Sequence, residues 1–394
     1  VEAPVTDAVS VRPPGERAFE KLHHDALECA ELARSLARTT EDRRALPDEL
    51  LTKLKDSGLL TSGAPRGVGG LQAPPGVSLA AAEAIARGDA STGWCVSIAM
   101  TSSLLAAYLP KNGADEVFGA PRSVAAGVWA PRGTGKPVGG GVVVSGQWPF
   151  CSGIPHADWL FAGFVLAAEG ATPVLRVAAI PKSDLEILDT WHTGGLRGTG
   201  SHDTVATEVF VPDHRIMSVI DGPPEDADPL YRFPLFGYFA LSVAVAALGN
   251  ARGAIDDLVA LAAGKKSPGS GRTLAERTHT QAEVARAEAA VRAAHLLVFQ
   301  SVEDAWAAAQ DEAPVSVSLR MGLRLAATHA TRTAAEVASA MYDLGGGAAI
   351  YENSPLQRRL RDANTATAHF QVNLASFELT GRLLLGLPAK TEQL

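Results

Sequence analysis

The feature that most limits how this chain can fold is a change of hydrophobic period that happens twice. Up to about residue 120, and again from about residue 226, apolar residues recur at helical spacing in long Ala/Leu-rich runs. Between them lie short alternating runs rich in Val, Thr and Gly. A helix repeats every 3.6 residues and a half-buried strand every two, so neither pattern serves as the other. The chain therefore reads as a helical domain over 1–120, a β-barrel or sandwich domain over 121–225 and a helical bundle over 226–394, an α+β fold.

Within the first part, Gly15–Arg38 and Pro47–Leu59 read as helices, the second stopped by Gly58. Val77–Leu109 reads as an Ala-rich helix, interrupted at Gly88–Asp89 and ended by Pro110. Strands are expected over Val142–Trp148, Trp159–Ala167, Val174–Ile180 and Asp203–Pro212. The acidic, Pro-rich Pro223–Pro229 is a linker. Helices follow over Phe236–Ala263, Thr273–Gln310 and Val315–Leu344, with Pro268–Gly271 separating the first two. A Gly-rich turn at Gly345–Gly347 leads to a last helix over Ser354–Leu385. Phe233–Asn250 approaches the length of a membrane span, but Gly, Ser and Asn punctuate it, and a buried helix is expected. The first twenty residues have no apolar segment of the signal-peptide kind and read as a short disordered lead.

Composition removes several function classes. Lys and Arg number 35 against 43 Asp and Glu, a net charge of −8 without a basic block. That argues against nucleic acid or a membrane as the partner. Cys29, Cys95 and Cys151 are odd in number and far apart, which fits a reducing, cytoplasmic setting and no disulfide framework. No C-x-x-C or H-E-x-x-H spacing occurs, so no metal is expected. Without a G-x-G-x-x-G after a strand there is no sign of an NAD(P)H site.

Four segments carry chemistry, each with a plain structural alternative. Val144–Gly153 brings Trp148 and Phe150 beside Cys151 and Ser152; it is either a seat for a flat redox ring or a strand end with a buried Trp. Gly127–Lys136, with Trp129 and Pro131, reads as a loop whose free N–H groups meet a ligand or simply connect strands. Gly194–His202 holds four glycines, two hydroxyls and an Arg, suited to close approach of a ligand or to a wide loop. Gly345 and Gly346 sit at a helix end and permit positive φ near a diphosphate, with Arg358, Arg359 and Arg361 following. His369, eight residues after Arg361, falls on the same helix face; a lone helical His is more often structural than catalytic.

In this order, Ala90-Ser-Thr-Gly-Trp94, Gly146-Gln-Trp-Pro-Phe-Cys-Ser-Gly153, Asp189-Thr-Trp-His-Thr-Gly-Gly-Leu-Arg-Gly-Thr-Gly-Ser201, Phe210-Val-Pro212 and Asn353-Ser-Pro-Leu-Gln-Arg358, with Arg361-Asp362 and His369, resemble the acyl-CoA dehydrogenase superfamily over nearly the whole chain. The resemblance is nearest to its two-component (group D) flavin-dependent monooxygenases, the branch of p-hydroxyphenylacetate hydroxylase, dibenzothiophene monooxygenase and the xiamycin-pathway indole oxygenase. It implies the acyl-CoA dehydrogenase-like fold, usually a homotetramer, and reduced FAD or FMN supplied by a separate flavin reductase. It also implies hydroxylation of a small aromatic or indole-type substrate by O2 through a C4a-peroxyflavin.

Two absences separate the branches. The dehydrogenases need a carboxylate base, and this chain has Phe370 at one such position and no Asp or Glu over Phe233–Ile255 at the other. The resemblance implies His369 as the catalytic proton handler, with a hydroxyl near flavin N5 at Cys151 or Ser152. Cys151 stands where many relatives have Ser, and a thiol is the weaker donor. By the same resemblance Trp129, Pro131, Trp148, Phe150, Cys151, Ser152, Gly345, Gly346 and Arg361 bind the cofactor. Trp94, Ser102, Phe239 and Phe370 line the substrate pocket, Ser102 replacing a His that touches phenols in several relatives. The alternatives are an N-oxygenase, an acyl-CoA dehydrogenase or oxidase on the same fold, or a non-catalytic oligomer.

Overall fold

The computed structural model describes residues 17–167, 170, 172–222, 224, 228–266, 271–311, 313–392 and 394. The expected N-terminal lead up to residue 16, most of the Pro-rich linker and residues 267–270 lie outside the described residues. The first helical part comprises α1 (Arg17–Arg43), α2 (Asp48–Asp56), α3 (Pro75–Gly88), α4 (Ala90–Ser103) and α5 (Lys111–Phe118). Gly58 ends the second helix region at φ 75°, a left-handed position that favours glycine. The expected interruption at Gly88–Asp89 is a cap. Asp89 leaves the helical region, and its carboxylate accepts from Thr92 N at 2.8 Å and Thr92 Oγ1 at 2.7 Å, starting α4.

The β domain is one seven-stranded sheet of β1 (Ala125–Val138), β2 (Gly141–Trp148), β3 (Trp159–Leu166), β4 (Val174–Pro181), β5 (Glu186–Leu188), β6 (Asp203–Pro212) and β7 (Ile216–Met217), in the order β5-β6-β2-β1-β3-β4-β7. The pair β1/β3 is parallel and the other neighbours are antiparallel. All four expected strands are present. Residues 127–136 are corrected: they are not a connecting loop but most of β1, the longest strand. Its register against β3 slips between Val128 and Gly133, and this irregularity absorbs Pro131.

The bundle holds a short α6 (Pro229–Arg232), then α7 (Leu235–Gly264), α8 (Thr278–Ala309), α9 (Val317–Gly345), α10 (Pro355–Ala366) and α11 (Ala375–Leu384). The apolar stretch expected as a buried helix is the N-terminal half of α7. Helices Ala90–Tyr108 and Leu235–Gly264 are long and apolar enough to cross a membrane, yet 94% and 89% of their most apolar windows lie inside the fold. The two helical regions share one continuous core, in which Leu54 and Ile85 join Leu248 and Leu258, while Val144, Trp148, Leu160 and Phe164 centre a separate core in the sheet.

The last expected helix is also corrected, because it is two helices joined by a turn. Thr367 Oγ1 donates to Asn364 O at 2.7 Å, and Asn373 Oδ1 accepts from Ala375 N at 3.0 Å. Short polar side chains bonding to nearby backbone compete with the helix ladder, and here they end α10 and start α11. His369 therefore stands in the turn and shares no helix face with Arg361.

Candidate active site

Three regions distant in sequence bring their side chains into one aromatic enclosure around the His369 ring. The turn after α10 delivers His369 and Phe370, α4 delivers Trp94 and Ser102, and the start of α7 delivers Phe239. The His369 ring lies 5.5 Å from Trp94 and 5.5 Å from Phe239, both edge-on, and 4.9 Å from Phe370. Trp129 of β1 stacks 5.0 Å from Phe239. Its indole Nε1 is buried without a hydrogen-bond partner, and a methyl on Gly127 would meet that nitrogen at 2.7 Å and Ser102 Oγ at 2.8 Å. The expected pocket residues Trp94, Ser102, Phe239 and Phe370 thus converge with His369 and Trp129. No Asp or Glu is among them.

One wall of this enclosure is a chain of hydroxyls with a fixed direction. Trp94 Nε1 donates to Ser152 Oγ at 3.1 Å. Ser152 Oγ meets Ser201 Oγ at 2.8 Å, and Ser201 Oγ meets Thr199 Oγ1 at 2.6 Å. Thr199 Oγ1 lies 2.8 Å from Leu196 O, which can only accept. Each hydroxyl has one hydrogen. Thr199 donates to the carbonyl, so Ser201 donates to Thr199 and Ser152 donates to Ser201. Ser152 then keeps one free lone pair and no free hydrogen. The chain is anchored from the bundle, because Leu196 N donates to the buried Asp362 Oδ1 at 2.6 Å. Burial pushes that carboxyl up to about 7, and the neighbouring Asp89 adds to the rise.

Burial also pushes the His369 imidazole down to about 4, and the charge of Arg324 on α9 presses the same way. The sequence places this His in the neutral titration range; the apolar enclosure moves it out. Gln371 N donates to His369 Nδ1 at 3.3 Å, so the neutral ring carries its hydrogen on Nε2.

Other expected residues lie elsewhere. Trp148 is fully buried in the sheet core, and its Nε1 donates to Gly163 O at 2.7 Å. Cys151 is buried in the same core between Trp148 O and Thr204 Oγ1, each at 3.1 Å, with its thiol pushed up to about 12 by burial. Of the paired candidates for a cofactor hydroxyl, only Ser152 reaches the enclosure. Phe150, at φ 64°, is 67% exposed and edge-on to Trp191; Pro131 is exposed in β1. Gly346 takes φ 49° at the end of α9, beside Gly345. Along helices rising 1.5 Å per residue, these glycines lie about 30 Å from Arg324 and about 20 Å from the turn that holds His369. Arg361 is bound to Glu41, Gln357 and Gly194 O. Within one chain, then, the glycines do not join the enclosure. Sequence reading missed Arg324, Gln371 and the partnership of Ser201 and Thr199 with Ser152; the hydroxyls stood in the glycine-rich segment, but nothing local named their partner fifty residues away.

The acyl-CoA dehydrogenase N-terminal domain family matches residues 20–117, and the acyl-CoA dehydrogenase C-terminal domain family matches residues 241–374. The chain is 35% identical over 345 residues to indole-3-acetate monooxygenase of Pseudomonas putida, covering 87% of this chain and 88% of that protein. It is 30% identical over 345 residues to the flavin-dependent monooxygenase oxygenase subunit HsaA of Mycobacterium tuberculosis, covering 85% and 88%. The chain belongs to the flavin-dependent monooxygenases of the acyl-CoA dehydrogenase fold. Solved structures agree. XiaF from Streptomyces sp., in complex with FADH2 and glycerol, superposes with a TM-score of 0.88 at 28% identity, covering 94% of this chain and 96% of that one. The 3-HSA hydroxylase from Rhodococcus sp. RHA1 gives 0.87 at 27% identity, covering 95% and 99%. This monooxygenase is accordingly an oxidoreductase that works with reduced flavin, and the α+β class with the acyl-CoA dehydrogenase-like architecture expected from its motifs is the one it has.

Proposed function

We propose that this monooxygenase is the oxygenase component of a two-component system, taking reduced FAD or FMN from a separate reductase and placing one atom of O2 on an indole or phenol ring. The observation that carries the reading is an aromatic enclosure without a carboxylate, in which a neutral His369 presents Nε2–H. A dehydrogenase needs a carboxylate base there. The first carboxylates along α7, Asp256 and Asp257, are held by Arg87 at 2.6 Å and Arg359 at 2.9 Å.

The donor set suits a reduced flavin. The free lone pair of Ser152 accepts from a donor, and a reduced isoalloxazine carries N–H at N5 where the oxidised ring carries a lone pair. When bound, the reduced flavin supplies the electrons that activate O2. The chain's own residues do the rest. Trp94, Trp129 and Phe239 keep water from the His369 ring, and the half-exposed Phe370 stands at the edge of the cluster. His369 Nε2–H donates to the oxygen being delivered. Trp129 Nε1 and Ser102 Oγ offer a donor and a hydroxyl to the polar edge of the substrate. The reading includes a homotetramer, in which the exposed Leu374, Leu384, Leu385 and Leu387 are covered by another copy. It also includes a reducing, cytoplasmic setting, supported by three unpaired buried cysteines.

The test supplies chemically reduced FAD, isotopically labelled O2 and either indole-3-acetate or resorcinol. One labelled oxygen is expected in the product, and light scattering should give a tetramer. His369→Ala should divert O2 to hydrogen peroxide while leaving flavin affinity near the wild-type value; equal loss of both makes the His structural. Anaerobic bleaching of oxidised flavin by an acyl-CoA, with no labelled product, overturns the oxygenase reading.

A further inference from the structure

Arg324 is a buried cation without a counter-ion. It is 6% exposed, and its single hydrogen bond goes from Nη1 to the neutral amide oxygen of Gln371. Its Nε is buried with no partner, and among the described residues no carboxylate comes within ion-pair distance. The other deeply buried arginine, Arg359, shows what this fold does with a structural guanidinium: Asp257 sits 2.9 Å from its Nε, and backbone carbonyls of Arg87 and Gly88 take the rest. Along the same row of α9, Arg320 donates to Thr391 O at 3.1 Å and Arg332 to Thr367 O at 3.4 Å. Those two also meet only neutral carbonyls, but they are part-buried and water reaches their charge, whereas Arg324 is closed off from it. Holding Gln371 needs only a neutral donor, so it does not explain a charge at Arg324. An uncompensated buried guanidinium is strongly unfavourable unless an anion meets it. Gln371 is two residues from His369, and the charge of Arg324 is felt at the His369 imidazole, the ring at the centre of the aromatic cluster.

We propose that Arg324 is the anion anchor of the substrate pocket, taking the carboxylate of an aromatic acid whose ring lies among Trp94, Trp129, Phe239 and Phe370. The proposal rests on the oxygenase reading and narrows its substrate class from aromatic rings in general to aryl acids with a short side chain. Guanidinium and carboxylate match as a two-point pair, and the aromatic walls bind the ring by apolar contact. Compensation by a substrate would leave the charge unpaired only while the pocket is free of it.

The test compares indole-3-acetate with 3-methylindole, the same ring without the carboxylate. Binding to the whole protein loaded with reduced FAD is measured anaerobically by equilibrium dialysis, and KM and kcat are then measured with O2. The wild type should bind the acid more tightly. Arg324→Gln should weaken the acid by about tenfold or more, through KM rather than kcat, and leave 3-methylindole within about twofold, as expected for loss of one charge-assisted pair. Arg324→Lys should recover part of the acid's affinity. A wild type that binds both probes equally, or an Arg324→Gln variant that loses both equally, overturns the anchor. Failure to oxygenate either probe, with tight binding of the acid retained, instead counts against the oxygenase reading and leaves the anchor standing.

Discussion

Ser152 and Asp362 show how much of this site is set by where single hydrogens sit. Because Ser152 spends its hydrogen on Ser201, it greets a ligand only as an acceptor. Ser152→Ala should weaken reduced flavin by roughly three- to tenfold and leave oxidised flavin almost unchanged, the size of one ordinary hydrogen bond. Anaerobic and aerobic fluorescence titrations measure the two affinities, and an equal loss would mean that Ser152 donates. Asp362 makes a stability prediction. Its folded pKa is raised from 3.8 to about 7, so between those values the folded chain keeps a proton that the unfolded chain releases. The residue's contribution therefore declines as pH rises through that window and levels off above it. Asp362→Asn keeps an acceptor for Leu196 N without the charge. The variant should match the wild type near about pH 4 and exceed it by on the order of a few kcal/mol at about pH 8. Denaturant unfolding at both values checks this; a difference independent of pH would mean that the carboxyl is not held neutral.

At the scale of elements, the sequence was most readable where one period ran unbroken. Helices α7, α8 and α9 and strands β2, β3, β4 and β6 follow from periodicity and breakers alone. β1 was hidden because Gly and Pro mark turns locally, while pairing on both sides makes this stretch a strand despite them. The turn between α10 and α11 was hidden because its Asn and Thr are tolerable in a helix, and only their backbone bonding ends it. The site was legible in its residue types, since His369, Trp94, Phe239, Phe370 and Ser152 converge. Direction was not legible: Trp148 and Cys151 lie one strand end away and face the sheet core instead. The segment from Thr193 to Ser201 joins both findings, because α10 grips it. A Cβ on Gly195 would lie 2.2 Å from Arg361 O. Gly195→Ala should push the segment off α10, lower stability by about 1–3 kcal/mol and loosen reduced flavin with it. Thermal unfolding and the titration above read the two effects. A stability loss with unchanged flavin affinity would show that the hydroxyl chain does not depend on this grip.

For the whole molecule, the helical regions expected as two domains behave as one core split by an inserted sheet. Helix α7 is buried on nearly every side because α3 packs directly onto it at Gly249, where a Cβ would meet Glu83 O at 2.2 Å and Ala86 Cβ at 2.7 Å. The first of these contacts is backbone, which cannot rotate away as a side chain can. Gly249→Ala should therefore force α3 and α7 apart and destabilise the chain by about 1–3 kcal/mol, the usual cost of overpacking. Residues of both helices belong to a single buried cluster, whereas one face of the sheet keeps a cluster of its own and the other shares one with α5. Hydrogen exchange should then show α3 and α7 losing protection by the same amount, since they open as one cooperative unit. Amides of β2 and β3 should lose less, because their packing does not pass through Gly249. If α3 alone loses protection while α7 keeps it, the two helical regions are separate cores in contact, and the enclosure around His369 is assembled across a domain boundary rather than built within one core.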